Sequence, residues 1–412
     1  MQLSTFRLQM RGNRSNPDLI QLGRRSGGNE ELPRASLSLI EKFFVFGAVS
    51  GLIGGVVLGA HLWLMLNGEM RISVRFAMLR KAHALVQTYL FFGLFILGFL
   101  FQTAPKIMKV RTNTSPWFLA SIPFILAGII LQVNTPASTV GPVLIAAPFF
   151  ATALLLVDLM RRGTPLFRES YAYWVILSLL GLTVSPFFPV TDPANAEIFL
   201  WSGVIPVTFA AGQQFIFAFL GGARLEARRN RILLVHYALT LVVLFMARSG
   251  ENANLWRASG VMCFLAVLGF MVWTKSTGAF RRMLSDPLAF GFASGFVWAL
   301  VASATTAVFG STLLDSSVHL LTLGWLTPLI IAVSSQVLRA IAGRFLLRPR
   351  PVLSLLLIWQ LVPIGRGLRS LAPLSGAFSL VVISAATIVL VPWLLAVALS
   401  ALQILRKRPV AA

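Results

Sequence analysis

Four histidines are the residues of this chain best suited to bind a metal. His83 lies at the start of an apolar run, "KAHALVQTYLFFGLFILGFLFQTAPK" (residues 81–106), and His319 begins a second one, "HLLTLGWLTPLIIAVSSQVLRAIAG" (residues 319–343). His61 and His236 lie within two further apolar runs. Imidazole nitrogen is a common ligand of iron and copper, so the residue types first indicate transition-metal chemistry.

Two of these histidines have a polar neighbour on the same helix face. Gln87 follows His83 by four residues, and Asp315 precedes His319 by four. Residues four apart are neighbours on a helix, so each polar side chain could hydrogen-bond the imidazole nitrogen that does not bind metal and orient the ring. The alternative is an interfacial histidine that bonds to water or lipid, and it is favoured for His61 and His236, which lack such a neighbour.

The composition identifies the elements that must position these residues. Of 412 residues, 57% are hydrophobic and 12% charged, with a mean hydropathy of +0.81. Soluble domains contain about 25% charged residues, so we predict an integral membrane protein. Because apolar stretches of about 20 residues recur, we expect an all-α, polytopic bundle of about 12 transmembrane helices. The predicted spans are 44–66, 84–104, 116–134, 140–160, 172–189, 199–220, 232–247, 256–274, 286–309, 318–338, 352–366 and 376–404.

The net charge of +22 follows the positive-inside rule. Most Lys and Arg residues lie in alternate short loops, which places both termini in the cytoplasm and argues against nucleic acid as a partner. One loop disagrees with this topology, because Arg71, Arg75, Arg80 and Lys81 lie on the predicted outer side, directly before the first histidine segment. That loop indicates either a miscounted helix or an anionic group nearby.

The chain is predicted to divide into a membrane domain and two tails. Residues 1–40 form a disordered basic cytoplasmic tail, residues 41–405 the twelve-helix membrane domain, and residues 406–412 a cytoplasmic C-terminal tail. In this topology His61, His83 and His319 lie at similar depth near the outer face, on helices distant in sequence. A single cysteine, Cys263, is too few for a disulfide framework or a thiolate metal site.

Glycines accompany both histidine segments. Gly98 lies in the second predicted span and Gly324 in the tenth. Glycine lets another helix, or a flat macrocycle, approach the backbone closely. The spacing alone leaves both readings open, with ordinary helix packing as the alternative to a cofactor contact.

The two histidine segments resemble those of NnrS-type membrane proteins. In that family a His-Ala start leads through spaced glycines to a Thr-Ala-x-Pro-like exit, and a later segment reads His-Ala-Leu-Thr-x-Gly. The matching positions in the first segment are His83, Ala84, Gln87, Gly98, Phe99, Thr103, Ala104 and Pro105. Those in the second segment are His319, Leu321, Thr322, Gly324, Ala332, Val333, Arg339 and Gly343. This chain has Leu85 and Val86 where the fuller His-Ala-His-Glu form of the motif has histidine and glutamate.

The resemblance implies a cofactor, a cellular role and a set of residues. The cofactor would be haem b, with copper as a further candidate, in a protein of the bacterial inner membrane linked to nitric oxide stress and denitrification. Its partners would be membrane lipid, haem, nitric oxide and a respiratory or denitrification protein. His83 and His319 would be metal or haem ligands, with His61 as a third candidate ligand. Carried over by position, the cofactor-binding residues would be His83, His319, Gln87, Gly98, Gly324 and Arg339.

Two other classes of function fit the same span count. A cofactor-free secondary transporter would also have twelve spans and basic inner loops. The loop after the second span, "PKIMKVRTNTSP", lacks the Gly-x-x-x-Asp-Arg-like pattern of major facilitator transporters, and the predicted spans lack paired carboxylates for proton coupling. The third class is an assembly factor of a respiratory complex, which a co-purifying partner would reveal.

Overall fold

The protein is all-α in every part that the structure describes. The computed structural model describes residues 34–66, 70–72, 75–108, 110, 116–162, 171–342, 347–371 and 376–406, and none of these residues is in a strand. The expected fold class, a polytopic helical membrane bundle, is therefore confirmed. Residues 1–33 and 407–412, which cover most of the two predicted tails, lie outside the described residues.

In the residues that the structure describes, twelve main helices follow one another. They are α1 (34–66), α2 (76–108), α3 (116–134), α4 (Val140–Arg162), α5 (Tyr173–Phe187), α6 (Pro193–Phe219), α7 (Ala227–Ser249), α8 (Ala253–Trp273), α9 (Pro287–Phe309), α10 (314–342), α11 (Pro349–Leu371) and α12 (Gly376–Arg406). A short helix, Thr277–Arg282, precedes α9. Each predicted span coincides with one of these helices. Helix α1 begins at Arg34, within the segment predicted to be a tail, and α2 begins at Phe76, so His83 lies two turns inside α2 rather than at its start.

Local sequence signals set several helix starts. The Asp192 side chain accepts a hydrogen bond from the Ala194 amide at the start of α6, and Asp286 does the same for the Leu288 amide at the start of α9. Both helices have proline in their first position. An Asx cap followed by proline favours helix initiation, because the side chain satisfies a free N–H group and proline has none.

Length and composition make the bundle a multi-pass membrane protein. In the described residues, nine helical stretches are long and apolar enough to cross a membrane, and α3 and α5 are shorter apolar helices. One of the nine, Pro287–Gln336, contains α9 and most of α10. Gly310 adopts a φ of 60° at the junction, which glycine tolerates readily, and α10 then packs back against α9. The number of twelve spans and the cytoplasmic location of both termini stay predictions.

A glycine stripe sets the register between α1 and α2. The glycines recur every four residues along α1, and a Cβ atom added at any of them would approach a side chain of α2 to within 2.2–3.1 Å. The facing pairs run in opposite directions, so the two helices are antiparallel. They are Gly47 with Phe95, Gly51 with Phe91, Gly55 with Gln87, and Gly59 with His83. Small residues at such spacing let helices approach closely in membranes.

Candidate functional site

A cavity of about 720 Å³ lies between six helices and contains both motif histidines. Its wall is formed by parts of α1, α2, α6, α10, α11 and α12. This volume lies within the range of about 300–1,000 Å³ that small-molecule and cofactor sites occupy. Most of the wall is apolar, and its aromatic members are Trp63, Phe76, Phe91, Phe92, Phe199, Trp359 and Trp393.

His83 is held from the neighbouring helix. Its Nδ1–H donates to the carbonyl oxygen of Gly54 in α1 at 2.5 Å. A carbonyl can only accept, so Nδ1 carries the proton and Nε2 keeps its lone pair. Gly59 leaves room for the ring, because a Cβ atom there would lie 3.1 Å from His83 Cε1. The bond to Gly54 therefore fixes the tautomer of the neutral ring, and His83 lines the cavity.

His319 has the same hydrogen bond at Nδ1 as His83, but its acceptor lies in its own helix. Its Nδ1–H donates to the carbonyl oxygen of Asp315, four residues earlier in α10, at 2.6 Å. The Asp315 carboxylate is farther from this nitrogen, at 3.7 Å, and pairs with the guanidinium of Arg366 in α11. The backbone carbonyl, not the carboxylate, thus fixes the tautomer, and Nε2 of His319 also keeps its lone pair.

Four π-helical stretches surround this cavity. They are Gly51–Val57 in α1, Val86–Phe92 in α2, Leu200–Val204 in α6 and Leu320–Leu326 in α10. His319 directly precedes one of them, and each stretch contributes at least one residue to the cavity wall. A π turn widens the helix, and such turns occur often at functional sites. In α10 the Leu323 carbonyl accepts from Trp359 Nε1 of α11 at 2.6 Å.

Comparison with known proteins places the chain in a family. The family model described as "NnrS protein" matches residues 42–408, which is most of the chain. The chain belongs to the NnrS family. No curated protein matches it. Membership fits a membrane protein of the nitric-oxide-related, haem- or metal-containing class, and it agrees with the resemblance carried by the two histidine segments.

The cavity of this NnrS-family protein brings together only some of the predicted site residues. His83, His319 and Gln87 line it, and Gln87 packs against Gly55 without a hydrogen bond to His83 among the described contacts. His61 lies in α1 as a half-buried residue outside the lining. Arg339 lies in α10, and its side chain is outside the described residues.

The two predicted cofactor glycines, Gly98 and Gly324, pack against side chains of other helices. A Cβ atom at Gly98 would lie 2.9 Å from Phe43 Cβ of α1, and one at Gly324 would lie 2.5 Å from Trp298 Cγ of α9. Neither glycine lines the cavity. Both glycines are therefore positions of close helix packing in the structure, and their role at a cofactor stays a prediction.

Three arginines of the lining were not predicted as site residues. Arg80 lies one turn before His83, and Arg366 and Arg369 lie near the end of α11. Arg80 belongs to the predicted outer loop that disagrees with the positive-inside rule. That disagreement indicated an anionic group near Arg80. The arginines of α11 gave no such signal, because they lie within a segment, "LVPIGRGLR" (residues 361–369), whose pattern is that of a broken span.

A buried carboxyl group lies behind the His319 side of the cavity. Glu197 of α6 is 1% exposed, and its Oε1 accepts hydrogen bonds from Trp201 Nε1 (3.1 Å), Ser317 Oγ (3.0 Å) and Thr306 Oγ1 (3.4 Å). No described partner bonds its Oε2. An ionised carboxylate at membrane depth is costly unless it is paired with a cation. Sequence analysis missed Glu197 because it precedes the predicted sixth span, 199–220.

Proposed function

We propose that this protein binds haem b in the cavity, with the Nε2 atoms of His83 and His319 as ligands of the iron, and that it acts in the nitric oxide response of the bacterial inner membrane. The observation that carries the proposal is the matched state of the two imidazoles. In both, Nδ1–H is bonded to a backbone carbonyl, and both residues line the same cavity. Neutral imidazole with its tautomer fixed in this way is the form that binds haem iron.

The cavity supports a macrocyclic ligand in size and polarity. Its volume of about 720 Å³ and its aromatic walls suit a flat apolar ring. When bound, the haem would supply an iron centre able to exchange electrons with nitric oxide. The protein's own contribution is to orient the two imidazoles, to shield the ligand with apolar side chains and to keep the site at one end of the bundle.

Copper is not part of this proposal. The described residues contain no group of three or more His, Cys, Asp or Glu side chains placed to hold a metal ion. His61, the third candidate ligand, lies outside the cavity lining. Copper therefore stays an expectation from the resemblance alone.

An absorption experiment tests the haem proposal. The full chain is purified in mild detergent, loaded with haem, and measured as a reduced-minus-oxidised difference spectrum. We expect Soret and alpha bands for the wild type, and weak or shifted bands for His83→Ala and His319→Ala. His61→Ala is the matched control and should keep the wild-type spectrum. A well-folded wild type without these bands, or His variants with unchanged bands, would contradict the proposal.

A second candidate function is a secondary transporter, and Glu197 is the observation that favours it. Intramembrane carboxyl groups often serve proton coupling, and Glu197 lies one residue from Ala196 in the cavity wall. Uptake of a substrate into vesicles that survives His83→Ala and His319→Ala but is lost in Glu197→Gln would support this function. Uptake that is absent in every variant and in the wild type would exclude it.

A further inference from the structure

The cavity has a cationic rim. Arg80 of α2 and Arg366 and Arg369 of α11 line it, and the described lining offers them one carboxylate, that of Asp315. All four residues lie near helix ends at the same end of the bundle, since α2 and α10 begin there and α11 ends there. Positive charge is therefore concentrated on one side of an otherwise apolar cavity.

Contacts from neighbouring elements hold these arginines in place. Arg80 Nη2 donates to the Thr191 carbonyl at 2.8 Å, and Arg369 Nη2 donates to the Leu66 carbonyl at the end of α1 at 3.3 Å. The Arg366 guanidinium pairs with Asp315 and lies 5.5 Å from the centre of the Trp63 ring. A guanidinium has five N–H donors, so one or two such contacts leave Arg80 and Arg366 with donors for a ligand.

Polarity changes with depth in the cavity. The histidines come one helical turn below the rim, because His83 follows Arg80 by three residues and His319 follows Asp315 by four. Below the histidines the described wall has no charged side chain; it is formed by uncharged polar residues such as Gln87 and Thr322 and by apolar ones such as Phe91 of α2 and Trp393 of α12. A ligand that fits this gradient has an apolar body with anionic groups at one edge.

Basic residues on the predicted outer side also need an explanation. The positive-inside rule places Lys and Arg on the cytoplasmic side, and an anionic ligand would offset the cost of Arg80 at this position. Lys81 does not serve the cavity, because its Nζ donates to the Gln132 carbonyl of α3 at 2.5 Å. The cationic group is therefore Arg80, Arg366 and Arg369, which we call the arginine rim.

We infer that the arginine rim binds the carboxylates of the cavity's ligand, which for haem are its two propionates. This inference rests on the proposed function for the identity of the ligand. Guanidinium and carboxylate form paired, charge-assisted hydrogen bonds. The rim then fixes which edge of the ring points out of the cavity, while the two histidines hold its centre.

The test compares haem with haem dimethyl ester, in which both propionates are neutral. Full-length apo-protein in lipid nanodiscs is titrated with each compound, for the wild type, Arg80→Gln, Arg369→Gln and the double variant. Arg257→Gln is the matched control, because this exposed arginine at the start of α8 is outside the lining. We expect each rim variant to weaken haem binding about tenfold, the effect of one charge-assisted hydrogen bond, and to leave ester binding unchanged. Wild type should bind haem more tightly than the ester.

The outcomes separate this inference from the proposed function. Equal binding of haem and ester by the wild type, or equal weakening of both by the variants, overturns the inference and leaves the histidine proposal in place. If neither haem nor the ester binds, both the inference and the histidine proposal are overturned. If haem and ester bind equally but sodium nitrite binds the apo-protein and Arg369→Gln abolishes that binding, the rim is a site for a free anion and the assignment to propionates is wrong.

Discussion

His83 and His319 differ in the origin of the carbonyl that holds each imidazole. For His83 the acceptor is Gly54, which belongs to the neighbouring helix α1. For His319 it is Asp315, one turn earlier in the same helix. The hydrogen bond of His83 therefore exists only while α1 and α2 stay in close contact, whereas that of His319 persists as long as α10 remains helical.

This difference shows which parts of the sequence each ligand depends on. The position of His83 depends on the close approach of α1 and α2 that the glycines of α1 allow, since a Cβ atom at these positions would lie within 2.2–3.1 Å of side chains of α2. The position of His319 depends on how α10 is held by its neighbours, through Glu197 of α6 and Arg366 of α11. Substitutions in α1 should therefore disturb one ligand alone, and substitutions around α10 the other.

The largest effect is expected for Gly54→Ala. A Cβ atom there would lie 2.3 Å from Val86 Cγ1, so α1 and α2 must separate and the bond to His83 is lost. Overpacking and the lost hydrogen bond together should cost about 3–5 kcal/mol of stability, and haem binding through His83 should fail. Thermal unfolding and the haem spectrum measure the two effects.

Two further variants control this experiment. Val86→Ala removes the Cγ1 contact at 2.3 Å but keeps Cβ at 2.9 Å, so the double variant Gly54→Ala/Val86→Ala should regain part of the stability and of the haem spectrum. Gly269→Ala in α8 should be tolerated, because its Cβ would meet only Leu233 Cδ1 at 3.7 Å. If the double variant were as impaired as Gly54→Ala, steric contact between α1 and α2 would not be the cause.

A smaller effect is expected for Glu197→Ala on the α10 side. This substitution leaves the Trp201, Ser317 and Thr306 donors without their acceptor in a buried place, which should cost about 2–3 kcal/mol. Glu197→Gln keeps an oxygen acceptor and should change stability by less than about 1 kcal/mol. Thermal unfolding of both variants measures these changes in stability. A Gln variant as unstable as the Ala variant would mean that the carboxyl group itself is required.

A still smaller change is expected for Asp315→Asn. The substitution removes the ion pair with Arg366 but keeps the backbone carbonyl that accepts from His319. Stability should fall by about 1–2 kcal/mol, since the Asp315 side chain is 47% exposed and solvent screens the pair. The haem spectrum should be retained. A spectrum as altered as that of His319→Ala would show that the carboxylate, rather than the carbonyl, orients the ring.

No measurable change is expected for His61→Ala. His61 lies two residues beyond Gly59 on α1, turned away from the cavity lining. Haem affinity and the difference spectrum should therefore match those of the wild type. Loss of a band in this variant would indicate that His61 is a ligand together with His83 and His319.

The length of the apolar runs predicted the helices well, because a helix satisfies its backbone hydrogen bonds within one apolar segment. The position of a helix in three dimensions is less visible in a sequence. The sequence contains the four-residue spacing of the α1 glycines, but it does not indicate which residues of α2 face them. The Asx-proline signal at Asp192 predicts a helix start at Pro193, and applying it would have placed Glu197 inside α6.

The site was predicted in part for a related reason. His83, His319 and Gln87 were found because polar residues are rare in apolar runs and each stood out. Gly98 and Gly324 were predicted to contact a cofactor because glycine allows a close approach to the backbone. The residue type does not indicate whether a cofactor or another helix approaches. In the structure Phe43 and Trp298 fill these places. The roles of Arg366 and Arg369 depend on α11 packing beside α10, which no local pattern encodes.

The most direct test of the central claim is the electron paramagnetic resonance spectrum of the oxidised, haem-loaded protein. Two imidazole ligands from His83 and His319 predict a low-spin ferric signal in the wild type. His83→Ala and His319→Ala should each convert that signal to a high-spin one, while His61→Ala should leave it unchanged. A wild-type low-spin signal that persists in both single variants would contradict the claim that these two histidines bind the iron.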